Sequence, residues 1–201
     1  MNSDNLKLVF AGDFCPSFRF EETLSKEFSF APAILNHINA ADVSFVNLEC
    51  VITDRTSPIL KNGPNIKAGP NTLETLGCFD VACLANNHIF DYGLTGLNDT
   101  IEAAKNIGLD VVGCRSDKYE QSVYSTSIKG LNLKVFNFCE EEFNTDIFGA
   151  SIIDPVSNYN LISKSINGDE FVVAILHCGN EYSKVPAPPI RDYCHFLIDI
   201  G

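Results

Sequence analysis

Four short, predominantly apolar segments mark the chain, at residues 6–11, 43–48, 81–85 and 171–176. Apolar runs of this length that do not alternate regularly with polar residues are typical of strands covered on both faces, as in a parallel sheet. Segments with helical character lie between or after them, at residues 31–40, 71–76, 94–107 and 189–200. Strands that alternate with helices predict an α/β layered fold.

Two of these segments carry further signals. Within 71–76, Asn71 and Glu74 have the spacing of a capping box, which predicts a capped helix. The segment 94–107 places its apolar residues on one stripe and stops before Gly108, a common helix terminator. The middle of the chain differs: residues 122–128 alternate, 129–132 form a predicted turn, and 133–139 continue as a second strand. This pattern predicts an antiparallel hairpin added to the core.

Size and charge narrow the function classes. The 201 residues favour one domain, and the net charge of −12 argues against nucleic-acid binding, which needs clustered Lys and Arg. No apolar run is long enough for a membrane span, and no signal peptide is recognisable, so we expect the chain as given to be cytoplasmic. An acidic protein can still bind phosphate esters when a divalent metal supplies local positive charge. The eight cysteines lie mostly in apolar segments and are expected to be reduced and structural.

Polar side chains follow every one of the four predicted strands. They are Asp13 after the first, Glu49 after the second, Asn87 with His88 and Asp91 after the third, and His177 with Glu181 after the fourth. Because the carboxyl ends of parallel strands meet at one edge of a sheet, we expect these side chains to converge. Carboxylate and imidazole together suit divalent Mn, Zn or Fe, and a shared carboxylate could bridge two ions. Separate turn and helix-capping roles are the alternative for each residue taken alone.

The residues around these positions resemble a known family. Phe-Ala-Gly-Asp at 10–13, Val-Asn-Leu-Glu at 46–49, Ala-Asn-Asn-His-Ile-Phe-Asp-Tyr-Gly at 85–93 and His-Cys-Gly-Asn-Glu-Tyr at 177–182 are similar to the motifs of the CapA proteins. These are bacterial poly-gamma-glutamate capsule biosynthesis proteins of the calcineurin-like metallophosphoesterase superfamily. The resemblance covers nearly the whole chain and implies a four-layer α/β/β/α sandwich, with residues 1–201 forming a single domain.

The resemblance also implies roles for the strand-end residues. Asp13 would be a terminal metal ligand and Glu49 the carboxylate between two ions, while Asn87 and His177 would be further ligands. His88 would face the substrate as a catalytic group and donate a hydrogen bond or proton.

Two acidic residues would support these imidazoles, and one loop would lie near them. Asp91 would hold His88 in one tautomer, or else cap the helix that begins near residue 94. Glu181 would support His177. Lys61 or Lys67 could contact an anionic substrate, although a mobile surface loop is the simpler reading of residues 61–67. His37 and His195 are expected to be surface or core residues rather than ligands.

The chain departs from the family pattern in two places. Many metallophosphoesterases begin with Asp-x-His, whereas Asp13 is followed by Phe14 and Cys15. The chain also ends before the Gly-His-His-Pro-His motif that supplies further histidine ligands in the family. We therefore expect the C-terminal part of the domain to be missing and metal binding to be weakened.

Three functions remain open at this point. The first is a metal-dependent phosphatase or phosphodiesterase acting on an anionic small molecule or polymer. The second is a non-catalytic capsule-assembly or polymer-binding component that works with capsule-synthesis partner proteins. The third is a truncated, inactive remnant. Metal content and turnover of a generic phosphoester distinguish them.

Overall fold

The computed structural model describes residues 5–24, 28–140, 147–180 and 182–201. The helices in these ranges are α1 (Arg19–Leu24), α2 (Pro32–Asn39), α3 (Gly93–Asn106), α4 (Pro155–Ser165) and α5 (Pro188–Asp199), with a 3₁₀ helix at Pro70–Cys78. The strands are β1 (Leu8–Phe14), β2 (Val43–Leu48), β3 (Val51–Ile52), β4 (Lys67–Ala68), β5 (Val81–Cys83), β6 (Asp110–Val112), β7 (Cys114–Arg115), β8 (Glu120–Gln121), β9 (Val123–Ile128), β10 (Leu131–Cys139), β11 (Gly149–Ala150) and β12 (Glu170–His177). No helix in these ranges is long and apolar enough to cross a membrane.

The first large sheet has the order β1-β2-β5-β6 and is parallel throughout. Every residue of β2 is buried, including the polar Ser44 and Asn47 within its apolar sequence. Strand β1 is longer than predicted, because it continues to Phe14 after an irregularity in register between Phe10 and Asp13. Asp13 therefore lies inside the end of a strand and not in the turn beyond it.

The second sheet has the order β12-β10-β9. Strands β9 and β10 form the predicted antiparallel hairpin, with a turn two residues shorter than expected because β10 already begins at Leu131. Lys129 and Gly130 both have positive φ, which is the backbone of the tight hairpin turn that matches strand twist. Strand β12 pairs in parallel with β10, so the fourth apolar run does not join the other three in one sheet. An apolar run shows that a strand is covered, and it does not show which sheet the strand joins.

The two sheets pack face to face, with helices outside each. The layer between them contains Phe45 and Val81 from the first sheet and Leu133 and Val135 from the second. The outer face of the first sheet is covered by α2, the 3₁₀ helix and α3, whose buried residues form the predicted stripe. The outer face of the second sheet packs against α4 and α5. This arrangement confirms the four-layer α/β/β/α sandwich.

One buried side chain ties the two sheets together. Asn137 of β10 accepts a hydrogen bond from the backbone N of Ala85 (2.8 Å) and donates one to the carbonyl of Ile175 (3.3 Å). Gly113 makes room for it, since a Cβ there would lie 2.2 Å from the Asn137 Oδ1. The link lies next to the strand ends at which the polar residues are found.

One local prediction was wrong, and one helix was not predicted. The capped helix predicted at 71–76 is a 3₁₀ helix whose N-cap residue, Gly69, gives no side-chain cap. Thr72 instead donates its hydroxyl hydrogen to the Gly69 carbonyl. Helix α4 was not predicted, although Asp154 caps it by accepting from the Ser157 N, and Pro155 occupies its first position.

Candidate metal centre

Residues at the ends of four strands converge on one imidazole. Asp13 comes from β1, Glu49 follows β2, Asn87 follows β5, and His177 is the last residue of β12. His177 Nε2 lies 3.2 Å from Asn87 Oδ1 and 3.6 Å from Glu49 Oε1, and its Nδ1 lies 3.5 Å from Asp13 Oδ1. The structure therefore brings all four predicted ligands together, although from two sheets.

The spacing of these atoms suits a divalent ion. Ligand atoms about 2.1 Å from a tetrahedral ion are about 3.4 Å apart. The distances from His177 Nε2 to its amide and carboxylate neighbours bracket that value. In the described part of the chain, no group of three His, Cys, Asp or Glu side chains is by itself arranged to hold a metal. The fit therefore depends on the amide oxygen of Asn87 together with Glu49 and His177.

Two further amides connect this cluster, and sequence reasoning assigned no role to either. Asn47 Nδ2 donates to Asp13 Oδ1 (2.7 Å) and faces His177 Nδ1 (3.1 Å). Asn47 Oδ1 accepts from Asn86 Nδ2 at 3.2 Å. Both asparagines are buried. Their presence in the motifs at 46–49 and 85–93 was the available signal.

His88 and Asp91 form a separate, buried pair. His88 Nδ1 lies 2.8 Å from Asp91 Oδ2, which is the arrangement needed to hold the ring in one tautomer. The capping alternative for Asp91 was wrong, because the N-cap residue of α3 is Tyr92 and no side chain caps it. His88 is absent from the described residues that line the cleft above His177. Its role toward a substrate remains a prediction.

Lys61 is the counter-charge of this pair. Its ammonium group is hydrogen-bonded to Asp91 Oδ1, and the side chains of Lys61 and Asp91 are 2% and 0% exposed. Asp91 also accepts from the Ile66 N, and its carbonyl accepts from the Ile59 N. The expectation of a mobile surface loop was therefore wrong for Lys61, because Asp91 anchors the segment by several bonds.

The cluster lies at the floor of an open cleft of about 810 Å³. Asp13, Glu49, Asn87 and His177 line it together with several described residues that follow β12, among them Lys184. Glu140 also lines the cleft, and its Oε2 accepts from the Gly179 N at 2.9 Å. Glu181, predicted to support His177, lies outside the described residues. His37 and His195 are exposed on α2 and α5.

All eight cysteines are free thiols, as predicted. Two of them follow the candidate ligands, Cys15 after Asp13 and Cys50 after Glu49. A hydrogen bond from the Cys50 thiol lowers the pKa of Cys15 to about 6, while burial raises the pKa of Cys50 well above its usual value. Burial alone raises the pKa of Cys83 to about 12.

Known structures share the fold. A phosphatase from Mycoplasma pneumoniae superimposes with a TM-score of 0.55 and 13% identity, over 97% of this chain and 61% of that one. A hypothetical protein from Thermus thermophilus gives a TM-score of 0.53 and 13% identity, over 96% and 63% of the two chains. At this identity the likeness shows a shared fold and nothing finer.

Curated relatives are capsule proteins. The chain is 31% identical over 139 residues to the capsule biosynthesis protein CapA of Bacillus anthracis, a match that covers 61% of this chain and 32% of the relative. It is 28% identical over 137 residues to the PGA biosynthesis protein CapA of Bacillus subtilis, covering 61% and 34%. A probable polyglutamine synthesis accessory protein of Mycobacterium tuberculosis is 35% identical over 89 residues, covering 43% and 23%. The chain thus matches about a third or less of the length of these relatives.

The family model described as bacterial capsule synthesis protein PGA_cap matches residues 7–201. That range includes both sheets and every residue of the cluster around His177. The chain belongs to the PGA_cap family of bacterial capsule synthesis proteins.

Proposed function

We propose that the cluster around His177 is a divalent-metal site of the phosphoester hydrolase type, contributed by this chain to a capsule biosynthesis protein. One observation carries the proposal: the approach of His177 Nε2 to Asn87 Oδ1 and Glu49 Oε1 at the floor of a cleft. Imidazole, amide and carboxylate donors together suit divalent Mn, Zn or Fe.

The residues divide into two groups of donors. Glu49, Asn87 and His177 would hold one ion, and Asp13 with Glu49 would take part in holding a second. A bound divalent ion would polarise a phosphoryl group and offset its charge. In a chain of net charge −12, that local positive charge is what an anionic substrate needs. Lys184, which lines the same cleft, would contact another anionic group of the substrate.

His88 is the candidate for proton transfer. Asp91 accepts a hydrogen from its Nδ1, so a neutral ring offers Nε2 as a base and a protonated ring offers Nε2–H as an acid. Because His88 lies beside the cleft and not in its wall, this role needs its own test.

Metal binding is the first test. Calorimetric titration of the chelator-treated chain with Mn²⁺ should show binding that His177→Ala and Asn87→Ala weaken by at least tenfold. The matched control is His195→Ala, an exposed histidine on α5, which should bind like the unaltered chain. Equal binding by His177→Ala and His195→Ala would refute the site.

Turnover is the second test. Hydrolysis of an aryl phosphate should require Mn²⁺, fall strongly in Asp13→Ala and His88→Ala, and be unchanged in His195→Ala. Bound Mn²⁺ without any turnover would exclude the hydrolase and leave the site as a binding site.

A non-catalytic role in capsule assembly is the second candidate function. The observation in its favour is the volume of the open cleft, about 810 Å³, which lies near the upper end of the range of ligand pockets. The relatives are named for capsule biosynthesis and for an accessory role in polyglutamine synthesis, and the chain spans only part of them. Binding of an anionic polymer without turnover, lost in Lys184→Glu, would support this candidate.

A further inference from the structure

Asn47 and Asn86, the two buried asparagines beside the cluster, form a chain of hydrogen bonds, which we call the relay. Backbone groups fix which end of the Asn86 amide donates and which end accepts. Asn86 Oδ1 accepts from the His88 N at 3.1 Å, and Asn86 Nδ2 donates to the Leu48 carbonyl at 2.9 Å. A backbone N–H can only donate and a carbonyl can only accept, so the Asn86 amide has one orientation.

This orientation determines that of Asn47. The Asn86 Nδ2 also donates to Asn47 Oδ1 at 3.2 Å, so the oxygen of Asn47 must face Asn86 and its NH₂ group must face the cluster. The two hydrogens of that group then point at Asp13 Oδ1 and His177 Nδ1, 2.7 and 3.1 Å away. Turning the Asn47 amide over would place its oxygen against the Asp13 carboxylate, a repulsive contact.

The tautomer of His177 follows. If Asn47 donates to Nδ1, that nitrogen carries no hydrogen, and in a neutral imidazole the hydrogen is on Nε2. There it has an acceptor, because Asn87 Oδ1 lies 3.2 Å from Nε2. Without Asn47, Asp13 Oδ1 at 3.5 Å could accept an Nδ1 hydrogen, about as far away as Glu49 Oε1 lies from Nε2, so the preference for the Nε2–H tautomer would weaken.

We propose that Asn47, oriented by Asn86, is a positioning residue that holds metal-free His177 in the Nε2–H tautomer and fixes the direction of the Asp13 carboxylate. Its importance for ligand binding rests on the proposed function, whereas the tautomer itself does not. An ion at Nε2 would have to replace the hydrogen given to Asn87. The ring hydrogen would then have to lie on Nδ1, where Asp13 could accept it only if the Asn47 amide moved its own hydrogens away.

The test is ¹⁵N NMR of the histidine rings in chelator-treated protein at pH 8, where an ordinary imidazole is neutral. The chain has four histidines, so His→Gln variants assign the His177 signals. The unaltered chain should show an unprotonated Nδ1 and a protonated Nε2. Asn47→Ala should lower the fraction of Nε2–H and raise that of Nδ1–H. Asn47→Asp, which keeps the shape but places an acceptor instead of a donor at Nδ1, should shift the fractions in the same direction if the alanine variant does not fold.

Asn98→Ala is the matched control. Asn98 and Asn47 are each 8% exposed, but Asn98 donates to Asp117 and is remote from the cluster. It should leave the His177 tautomer unchanged, which a general loss of packing would not. An Nδ1–H signal in the unaltered chain, or an unchanged Nε2–H signal in both Asn47 variants, would overturn the proposal. Failure of Mn²⁺ to bind would refute the metal site but not the relay.

Discussion

Two imidazole–carboxylate groups lie close together in this molecule and differ in how their charge is balanced. His88 and Asp91 are buried together with Lys61, whose ammonium is the internal counter-charge. His177 faces an open cleft with Glu49 and with Asp13, whose side chain is 56% exposed and whose ion-pair partner in the described part of the chain is His177. A carboxylate removed from water needs a cationic side chain beside it. A carboxylate at an open cleft is stabilised by water and can bind a cation from solution. The same residue types therefore make an anchor in one place and a candidate binding site in the other.

The largest expected difference between the two groups is in stability. Asp91→Asn leaves the Lys61 charge buried without its partner, and we expect the free energy of unfolding to fall by about 3–5 kcal/mol. Asp13→Asn removes a charge at an exposed position but keeps an oxygen to which Asn47 can donate, and it should cost about 1 kcal/mol or less. Urea unfolding of both variants measures the contrast. A cost for Asp13→Asn as large as that for Asp91→Asn would show that the open group is also structural.

A bound cation should stabilise the open group selectively. Mn²⁺ at 100 times its dissociation constant should raise the free energy of unfolding by about 2.7 kcal/mol. We expect this increment to disappear in His177→Ala and to persist in His88→Ala, because only the first ring faces the cleft. Unfolding of each variant with Mn²⁺ and with a chelator gives the comparison. An increment lost equally in both variants would mean that the two groups act as one site.

The smallest expected difference between the two groups is in the reactivity of the cysteine thiols beside them. Since the pKa of Cys15 is lowered to about 6, its reactive thiolate predominates above that pH and declines below it. Cys83, which ends the strand leading to the buried group, has its pKa raised to about 12 and should stay unmodified at neutral pH.

Iodoacetamide labelling followed by peptide mass spectrometry should show Cys15 modified with a midpoint near pH 6. Cys50→Ala removes the donor to the Cys15 thiolate and should move that midpoint toward the ordinary value near 8.5. Labelling of Cys83 at the same rate as Cys15 would contradict the difference in burial.

Much of the candidate site could be predicted from the sequence, for a simple physical reason. A short apolar run ends where the sheet ends, so the polar residue after it must lie at the sheet edge, and this places Asp13, Glu49, Asn87 and His177. The sheet to which β12 belongs could not be predicted, since pairing depends on contacts distant in sequence. The four side chains nevertheless lie together, because the two sheets pack face to face and their strand ends are adjacent.

The residues that were missed are those whose role depends on a distant partner. Lys61 lies among turn-forming residues, so the local sequence predicts a solvated loop. It is buried because its ammonium group pairs with Asp91, thirty residues later in the chain. Asn47 is a polar residue within a predominantly apolar strand, and its role depends on contacts with Asp13 and His177, which are distant in sequence. Helix α4 is a different case, because Asp154 and Pro155 are a local signal for the start of a helix and need no distant partner.

Because the candidate donors come from both sheets, they can come together only after the two sheets have packed on each other through the apolar layer between them and the Asn137–Ala85 hydrogen bond. A partly folded chain with each sheet formed but not yet packed on the other would have His177 on one body and Glu49 and Asn87 on another. Such an intermediate would have no affinity for an ion that needs all three. Ion binding followed in time during refolding would therefore report the docking of the sheets, separately from their formation.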